Sequence, residues 1–353
     1  MDFEFLYNKI LEDKRILFNE VIWAYDNLSL PELGMLASIV RRRKNPESKV
    51  TYIIDRNINY TNVCVAGCKF CAFYRKKGDN ESYVLSFDQI GEKIKETQKL
   101  GGVQILLQGG LHPDLGLSYY KELFRYIKEN YNIWIHGLSP PEIIHITKIE
   151  GKSIEFVLQK LRKYGLDSIP GGGAEILTDR MRAYMSGYKC SVSEWLEVME
   201  TAHKIGLRTT ATMMFGSVET IEERIEHLER LRELQDKTGG FTAFIPWSFQ
   251  PENTQLKNAN NKLAKATAHE YLKMLAISRI YLDNFKNIQV SWVTQGSKIA
   301  QIALEFGGND FGSLMIEENV VKAAGVDFRM TIDEMEYCIK EAGYTPEKRV
   351  MIY

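Results

Sequence analysis

An alternation of strand and helix signals that starts at residue 50 and runs almost to the end of the chain constrains the fold most strongly. VTYIID (50–55), VQILLQ (103–108), IWIHGL (133–138), LDSI (166–169), TTATMMFG (209–216), FTAFIPWSF (241–249) and IQVSW (288–292) are apolar, β-branched runs of strand length. Helical spacing fills the intervals: 86–101, 117–130, a stretch opened by SPPEI (139–143), 178–186, 193–205, 219–237, 263–284 and 296–306. Strands that alternate with helices pair in parallel through right-handed crossovers. With a short eighth unit near GGNDFG (307–312), the pattern predicts an α/β fold of the (β/α)8 TIM type. Residues 3–14, 16–26 and 31–43 read as helices that precede the first strand, and Pro31 fits the first turn of the third. The expected organisation is an N-terminal helical cap over 1–49 and a barrel over 50–353. Its C-terminal extension is a helix at 332–343 and strand-like VMIY (350–353).

A barrel accommodates all 353 residues without a second domain. Lys+Arg 45 against Asp+Glu 46 leaves a net charge of −1, and the one basic block is Arg41-Arg42-Arg43-Lys44. Such a balance argues against a nucleic-acid partner. Acidic residues interrupt MDFEFLYNKILEDKRILF, so it does not read as a signal peptide, and no run approaches the roughly 18 apolar residues of a membrane span. The expectation is a cytoplasmic protein with no membrane partner. Unusual residues gather after the strands: Cys, Gln-Gly-Gly, Ser-Pro-Pro, Gly-Gly-Gly-Ala-Glu, Phe-Gly, Gln-Pro and Asn-Asp. In barrels those strand ends build the active site.

Residues 56–80 read as a long loop, and within it three of the five cysteines lie within eight positions, Cys64-Val-Ala-Gly-Cys68-Lys-Phe-Cys71. In a reducing compartment such crowding points to metal. Structural zinc takes four ligands, commonly in pairs, and this trio has no nearby fourth; a distant His or Cys190 would have to supply it. Thiolates suit iron–sulfur clusters, and three of them on a four-iron cube leave one iron open. The plain alternatives are three incidental buried cysteines, or a closed electron-transfer cluster with a fourth protein ligand. Cys190 and Cys338 carry no motif and read as packing residues.

The C-x3-C-x2-C spacing, with Phe70 before the third Cys, resembles the radical S-adenosylmethionine (SAM) superfamily. Asp55-Arg-Asn-Ile-Asn-Tyr-Thr-Asn-Val-Cys64 leads into the trio and Ala72-Phe-Tyr-Arg75 leaves it. With Gln108-Gly-Gly-Leu-His-Pro113, Leu138-Ser-Pro-Pro-Glu-Ile143, Pro170-Gly-Gly-Gly-Ala-Glu175, Ala211-Thr-Met-Met-Phe-Gly216 and Phe244-Ile-Pro-Trp-Ser-Phe-Gln-Pro251, the segment 50–320 resembles the futalosine branch of menaquinone biosynthesis, above all its cyclases. Sibling families are the aminofutalosine synthases and the subunits that form the deazaflavin of coenzyme F420. The resemblance implies a [4Fe–4S] cluster on Cys64, Cys68 and Cys71, with SAM chelated to the open iron through its amino and carboxylate groups. It implies hydrogen abstraction by a 5′-deoxyadenosyl radical, dehypoxanthine futalosine as substrate with C4′ as the site of attack, and a reductant such as flavodoxin or ferredoxin.

Other residues carry expectations of differing weight. Gln108, Gly109 and Gly110 stand where many superfamily members have Gly-Gly-Glu, whose acid receives the SAM amino group. Here Gln108 and backbone carbonyls have to accept instead. Glu175 suits the SAM ribose hydroxyls, or else an ion pair with Arg180 or Arg182; Phe70, Ser139 and Arg180 complete the expected cofactor set. Ser139 alternatively only caps a helix. His112 and Asp310 are the expected catalytic groups, against the alternatives of a packed histidine and a capped turn. Arg56 and Arg75, flanking the cysteine loop, and Trp247 are the expected substrate contacts; structural ion pairs and barrel core are the competing roles.

Overall fold

The first strand signal divides in two. In the computed structural model, which describes residues 1–353, β1 (Lys49–Ile53) and β2 (Asp55–Asn59) form one extended run that changes partners at Ile54. Beyond it come β3 (Gln104–Gln108), β4 (Trp134–Gly137), β5 (Ser168–Ile169), β6 (Arg208–Phe215), β7 (Phe241–Ser248), β8 (Asn287–Ile288), β9 (Asp310–Ser313) and β10 (Thr345–Lys348). Strands β2 to β8 build a seven-stranded sheet in sequence order, each pair parallel. β1 pairs in parallel with β9 and, on its other side, with β10. A bridge between Gln289 and Asp310 joins the end of β8 to β9, with the Val290 N–H donating to the Asp310 carbonyl at 2.9 Å. Because β1 runs into β2, the ring closes, and the expected (β/α)8 architecture is present.

Helices connect the strands in the expected places: α4 (Phe87–Lys99), α5 (Leu117–Asn130), α6 (Pro140–Glu150), α7 (Ile154–Tyr164), α8 (Asp179–Met185), α9 (Val192–Lys204), α10 (Ile221–Thr238), α11 (Gln255–Ala259) and α12 (Ala268–Tyr281). Their starts are local. Ser86, Ser191 and Thr220 each form a capping box with the Gln or Glu three residues on. The N-terminal helices α1 (Phe3–Leu11), α2 (Phe18–Asn27) and α3 (Leu30–Lys44) lie outside the ring, with α3 along α12 and α2 against α10. Their Leu6, Ile10, Val21, Leu33 and Leu36 belong to the same buried cluster as the barrel strands.

Strand parity separates inside from outside. Asp55 and Asn57 of β2, Gln104, Leu106 and Gln108 of β3, His136 of β4, Thr210 and Thr212 of β6, and Ile245 and Trp247 of β7 line a central cavity. Residues one position off turn toward the helices. The terminal segment differs from expectation. The pairing strand is β10, and VMIY leaves it, so that Arg349, Met351 and Tyr353 line the cavity at the end where the strands begin. Arg349 is drawn there by Asp310, to which it donates two hydrogen bonds of 2.5 and 3.1 Å.

Candidate active site

The loop after β2 carries the three cysteines at the strands' C-terminal ends. Its base is pinned on both sides: the Cys64 N–H donates to the Arg75 carbonyl at 3.0 Å and the Arg75 N–H to the Asn62 carbonyl at 2.8 Å. The Arg75 guanidinium turns back into the loop, donating to the carbonyls of Ala72, Phe73 and Tyr74 at 3.2, 3.3 and 2.9 Å, and pairs with Glu81 at 2.6 Å. Arg75 therefore shapes the cysteine loop and does not enter the cavity.

All three thiols are free, and they pack with Ala66, Phe70 and Leu111 in a cluster of their own. Burial pushes Cys71 up to about 11 and raises Cys68 as well, while the N–H groups of Phe73 and Tyr74 donate to the Cys71 sulfur and oppose the rise. Cys64, Cys68 and Cys71 are close enough to disfavour one another's charge. Thiols that resist ionisation by themselves give up their protons to a metal that replaces them, and backbone donors aimed at sulfur stabilise cluster thiolates. No three His, Cys, Asp or Glu side chains converge on a point as ligands of a single ion would. Three neighbouring thiols with no fourth ligand fit a [4Fe–4S] cluster with one iron left for SAM, and they disfavour the zinc alternative. Cys190 is engaged elsewhere, with the Arg182 guanidinium 3.1 Å from its sulfur.

Next to the loop, the ends of β3, β4 and β5 form one wall. Gly109 and Gly110 let backbones touch: a Cβ at Gly109 would lie 2.5 Å from the Tyr60 ring, and one at Gly110 would lie 2.2 Å from the Val63 carbonyl oxygen. Leu138 and Glu175 hold left-handed φ angles of 60° and 43°. Two non-glycine residues in that region, both at strand ends on this wall, are strain the surrounding structure must hold in place. The Glu175 carboxylate is 8% exposed and receives Lys189 at 2.8 Å on both oxygens and Arg182 at 3.2 Å. Lys189 also lies over the Phe70 ring, 5.0 Å from its centroid. Phe70, Gln108 and Glu175 thus face one space, with Gly172 and Gly173 between them. Ser139 caps α6 from behind this wall and donates to Glu142 at 2.6 Å. Arg180 does not join them: it is paired with Glu223 on the outer surface, at 2.7 Å through its Nε.

The cavity holds about 1490 Å3 including its open mouth, bounded by Leu106, Ile245, Trp247, Val293 and Met315 among apolar residues. Trp247 faces it. Three other expected site residues lie elsewhere. Arg56 follows Asp55 on β2 and points out, to Glu96 at 2.7 Å and to the Lys93 carbonyl at 2.9 Å. The expectation took 56–80 for loop, but β2 continues to Asn59, and parity then sends Arg56 to the helices. Asp310 was expected near a strand's end at the mouth, but it opens β9, so it lies at the opposite end, fully buried against Arg349. His112 lies outside the cavity wall, where its Nδ1 accepts from the Asp114 N–H at 3.1 Å and its carbonyl from His145 at 2.9 Å.

Sequence reading passed over Asp55, Asn57 and Gln104. A signal was available: buried parallel strands are normally continuous apolar runs, and polar residues at 55, 57 and 59 and at 104 and 108 break that rule. His136, at two positions past Trp134, follows the same inward parity; burial pulls it down to about 3, so it is neutral and bonds through Nδ1 to Ser168 at 2.7 Å.

A closed barrel with a free cysteine trio at its mouth defines the class, and comparison with known proteins agrees. Residues 58–231 match the radical SAM superfamily and residues 238–353 match the CofH/MqnC C-terminal region. Over its whole length the chain is 44% identical to the cyclic dehypoxanthine futalosine synthase of Halalkalibacterium halodurans, covering 95% of that protein. It is 45% identical to the synthase of the same name from Streptomyces coelicolor, over 96% of this chain and 85% of that one. The aminodeoxyfutalosine synthase of Thermus thermophilus is 38% identical over 98% of this chain and 93% of its own. Among solved structures, methylornithine synthase superposes with a TM-score of 0.72 at 20% identity, covering 97% of both chains. The hydrogenase maturase HydG of Carboxydothermus hydrogenoformans superposes with 0.78 at 16%, covering 99% of this chain and 80% of its own. These two show the shared fold. The chain belongs to the radical SAM superfamily and, within it, to the family of the cyclic dehypoxanthine futalosine synthases.

Proposed function

We propose that this chain converts dehypoxanthine futalosine to cyclic dehypoxanthine futalosine, a step of menaquinone formation by the futalosine pathway. The carrying observation is the whole-length identity to the synthases of that name, supported by a cavity walled by the strand ends and lined also by Phe70 of the cysteine loop. Held by Cys64, Cys68 and Cys71, the cluster with SAM would supply one-electron radical chemistry: hydrogen abstraction at C4′ ahead of closure onto the benzoate ring, with the electron spent on cleaving SAM recovered by the cluster when the closed ring is oxidised back to aromaticity.

The protein's own residues do the rest. Cys64, Cys68 and Cys71 hold the cluster, and Glu175, kept in place by Lys189 and Arg182, is set to accept the ribose hydroxyls of SAM. The apolar wall of Ile245, Trp247, Val293 and Met315 excludes water, which protects a reactive carbon and fixes which hydrogen lies in reach. Neutral His136 orients a substrate hydroxyl or carbonyl without adding charge. Glu318 replaces Asp310 as the acceptor of the proton lost when the ring regains aromaticity. It lines the cavity, burial raises its pKa, and its oxygens meet only the N–H groups of Val320, Val321 and Lys322 at 2.7–3.0 Å. The electron comes from a small carrier protein such as flavodoxin or ferredoxin, reached where Val65, 48% exposed, brings the cysteine loop to the surface. No helix is long and apolar enough to cross a membrane, which agrees with work in the cytoplasm.

The test is anaerobic reconstitution followed by turnover of dehypoxanthine futalosine carrying deuterium at C4′. One deuterium in 5′-deoxyadenosine, with cyclic product alongside, is expected. Deuterium retained in the product, or turnover only with an enol-ether benzoate, would move the chain to the aminofutalosine synthases.

A further inference from the structure

Glu142 is a buried carboxylate with no cation. It is 3% exposed and forms no ion pair, unlike Glu175, which has two. Its Oε2 accepts from the Ser139 hydroxyl at 2.6 Å, and its Oε1 from the Tyr60 hydroxyl at 2.7 Å and from the Gly109 N–H at 3.0 Å. Tyr60 continues β2 toward the cysteine loop, Gly109 ends β3, and Ser139 ends β4, so one carboxylate ties three adjacent strand ends together. Only the Ser139 contact is local to the start of α6, where the Ser139 side chain makes no cap bond of its own. An isolated ion in such a place is costly, and burial pushes Glu142 up to about 7, so a cation arriving at this edge is what favours its ionised form. The left-handed turn at Leu138 is what brings Ser139 and Glu142 against β3. The Gln108-Gly109-Gly110 edge has no acidic residue of its own, and with SAM as the cofactor it is the edge that would receive the α-ammonium.

We propose that Glu142 supplies the missing negative charge of that edge: hydrogen-bonded to the Gly109 N–H, it polarises the backbone of β3's end and balances, from behind, the α-ammonium of SAM. Glu142 is thus a positioning residue, which acts through Gly109 and not by touching the reacting atoms. The inference rests on SAM being the cofactor.

Glu142→Gln removes the charge and, besides it, the bond its carboxylate accepts from the Ser139 N–H. Its amide oxygen can still accept from Gly109 and Tyr60, and its amide nitrogen can donate to a reoriented Ser139 hydroxyl. The experiment uses reconstituted holoenzyme and measures equilibrium binding of SAM and of methylthioadenosine, which has the nucleoside but no amino acid. SAM should bind about tenfold or more weakly to the variant, as expected for a lost charge interaction across a buried edge. Methylthioadenosine affinity, iron content and melting temperature should stay as in the wild type. Equal SAM affinity in the two proteins overturns the proposal, and so does a parallel loss of methylthioadenosine binding, which would mark a collapsed wall. Wild-type holoenzyme that binds no SAM would overturn the cofactor assignment itself, a different failure.

Discussion

The two ends of the barrel use the same residue types in opposite ways. At the floor, Asp310 and Arg349 form a bidentate pair, 0% and 8% exposed, and Asp55 is bonded by Ser313 and Gln104. There the Asp310 charge has its cation inside the protein, while Asp55, like Glu142, has neutral donors only and burial raises its pKa. At the mouth, three thiols stand free, Glu142 has only neutral donors, and Lys189 and Arg182 gather on one carboxylate. Buried charges left partly unmatched are unstable by themselves, and they make sense where a ligand completes them. The floor is therefore a closed structure whose loss costs folding, and the mouth an incomplete one whose loss costs binding.

The largest expected effect is at the mouth. Cys64→Ala, Cys68→Ala and Cys71→Ala should each abolish the cluster's visible absorbance and all SAM cleavage after reconstitution, whereas Cys190→Ala and Cys338→Ala should retain both. Loss of the cluster in either of the latter would show a fourth protein ligand and end the open-iron assignment.

At the floor, Arg349→Met leaves Asp310 a buried carboxylate with no cation, bonded only by neutral hydroxyls such as that of Thr51. Denaturant unfolding should show a loss of about 3–5 kcal/mol. Converting the partner too, as Asp310→Leu with Arg349→Met, should restore most of it, since the penalty belongs to the unpaired charge. Cluster content in the single variant, measured below its melting temperature, should stay normal. A destabilisation below about 1 kcal/mol would mean that the floor is as open as the mouth.

Glu175→Gln is smaller and of the opposite kind. Removing a charged acceptor from a buried hydrogen bond costs about 1.5–3 kcal/mol, which here should appear as SAM binding weakened by roughly ten- to a hundredfold with normal iron content. Unchanged affinity would return Glu175 to the scaffold, held only by Lys189 and Arg182.

How far each end could be read in the chain follows from how local its determinants are. The barrel was legible because strand and helix periods repeat over neighbouring residues, and the cysteine trio because its three ligands sit within one loop. Parity decided the failures. Reading 56–80 as loop hid that Asp55 and Asn57 look inward and Arg56 outward, and a strand placed before GGNDFG moved Asp310 from floor to mouth. The contacts of Glu142 could not be read at all. Tyr60 and Gly109 are 82 and 33 positions away, and only barrel closure brings them together. The floor's use of Arg349 is equally distant, because β10 must first pair with β1.

His112 gives the smallest expected effect and the finest test of the boundary between mouth and scaffold. It belongs to the Gln108-Gly-Gly-Leu-His-Pro segment, so sequence placed it at the mouth, yet the ring faces away from the cavity. Its Nδ1 accepts the Asp114 N–H two residues on, the geometry that an Asn side chain also adopts in a turn. Burial lowers its pKa below the usual histidine value, so near neutral pH the ring is uncharged and serves as an acceptor. His112→Asn preserves that acceptor, and kcat/KM should stay within about twofold of wild type, an effect below roughly 0.5 kcal/mol. His112→Ala removes it and leaves the Asp114 N–H without its partner, which should lower stability by about 1 kcal/mol while SAM affinity is unchanged. A hundredfold fall in kcat for His112→Asn, with normal iron and normal SAM binding, would put the ring in contact with substrate and extend the mouth beyond the wall drawn by Gln108 and Glu175.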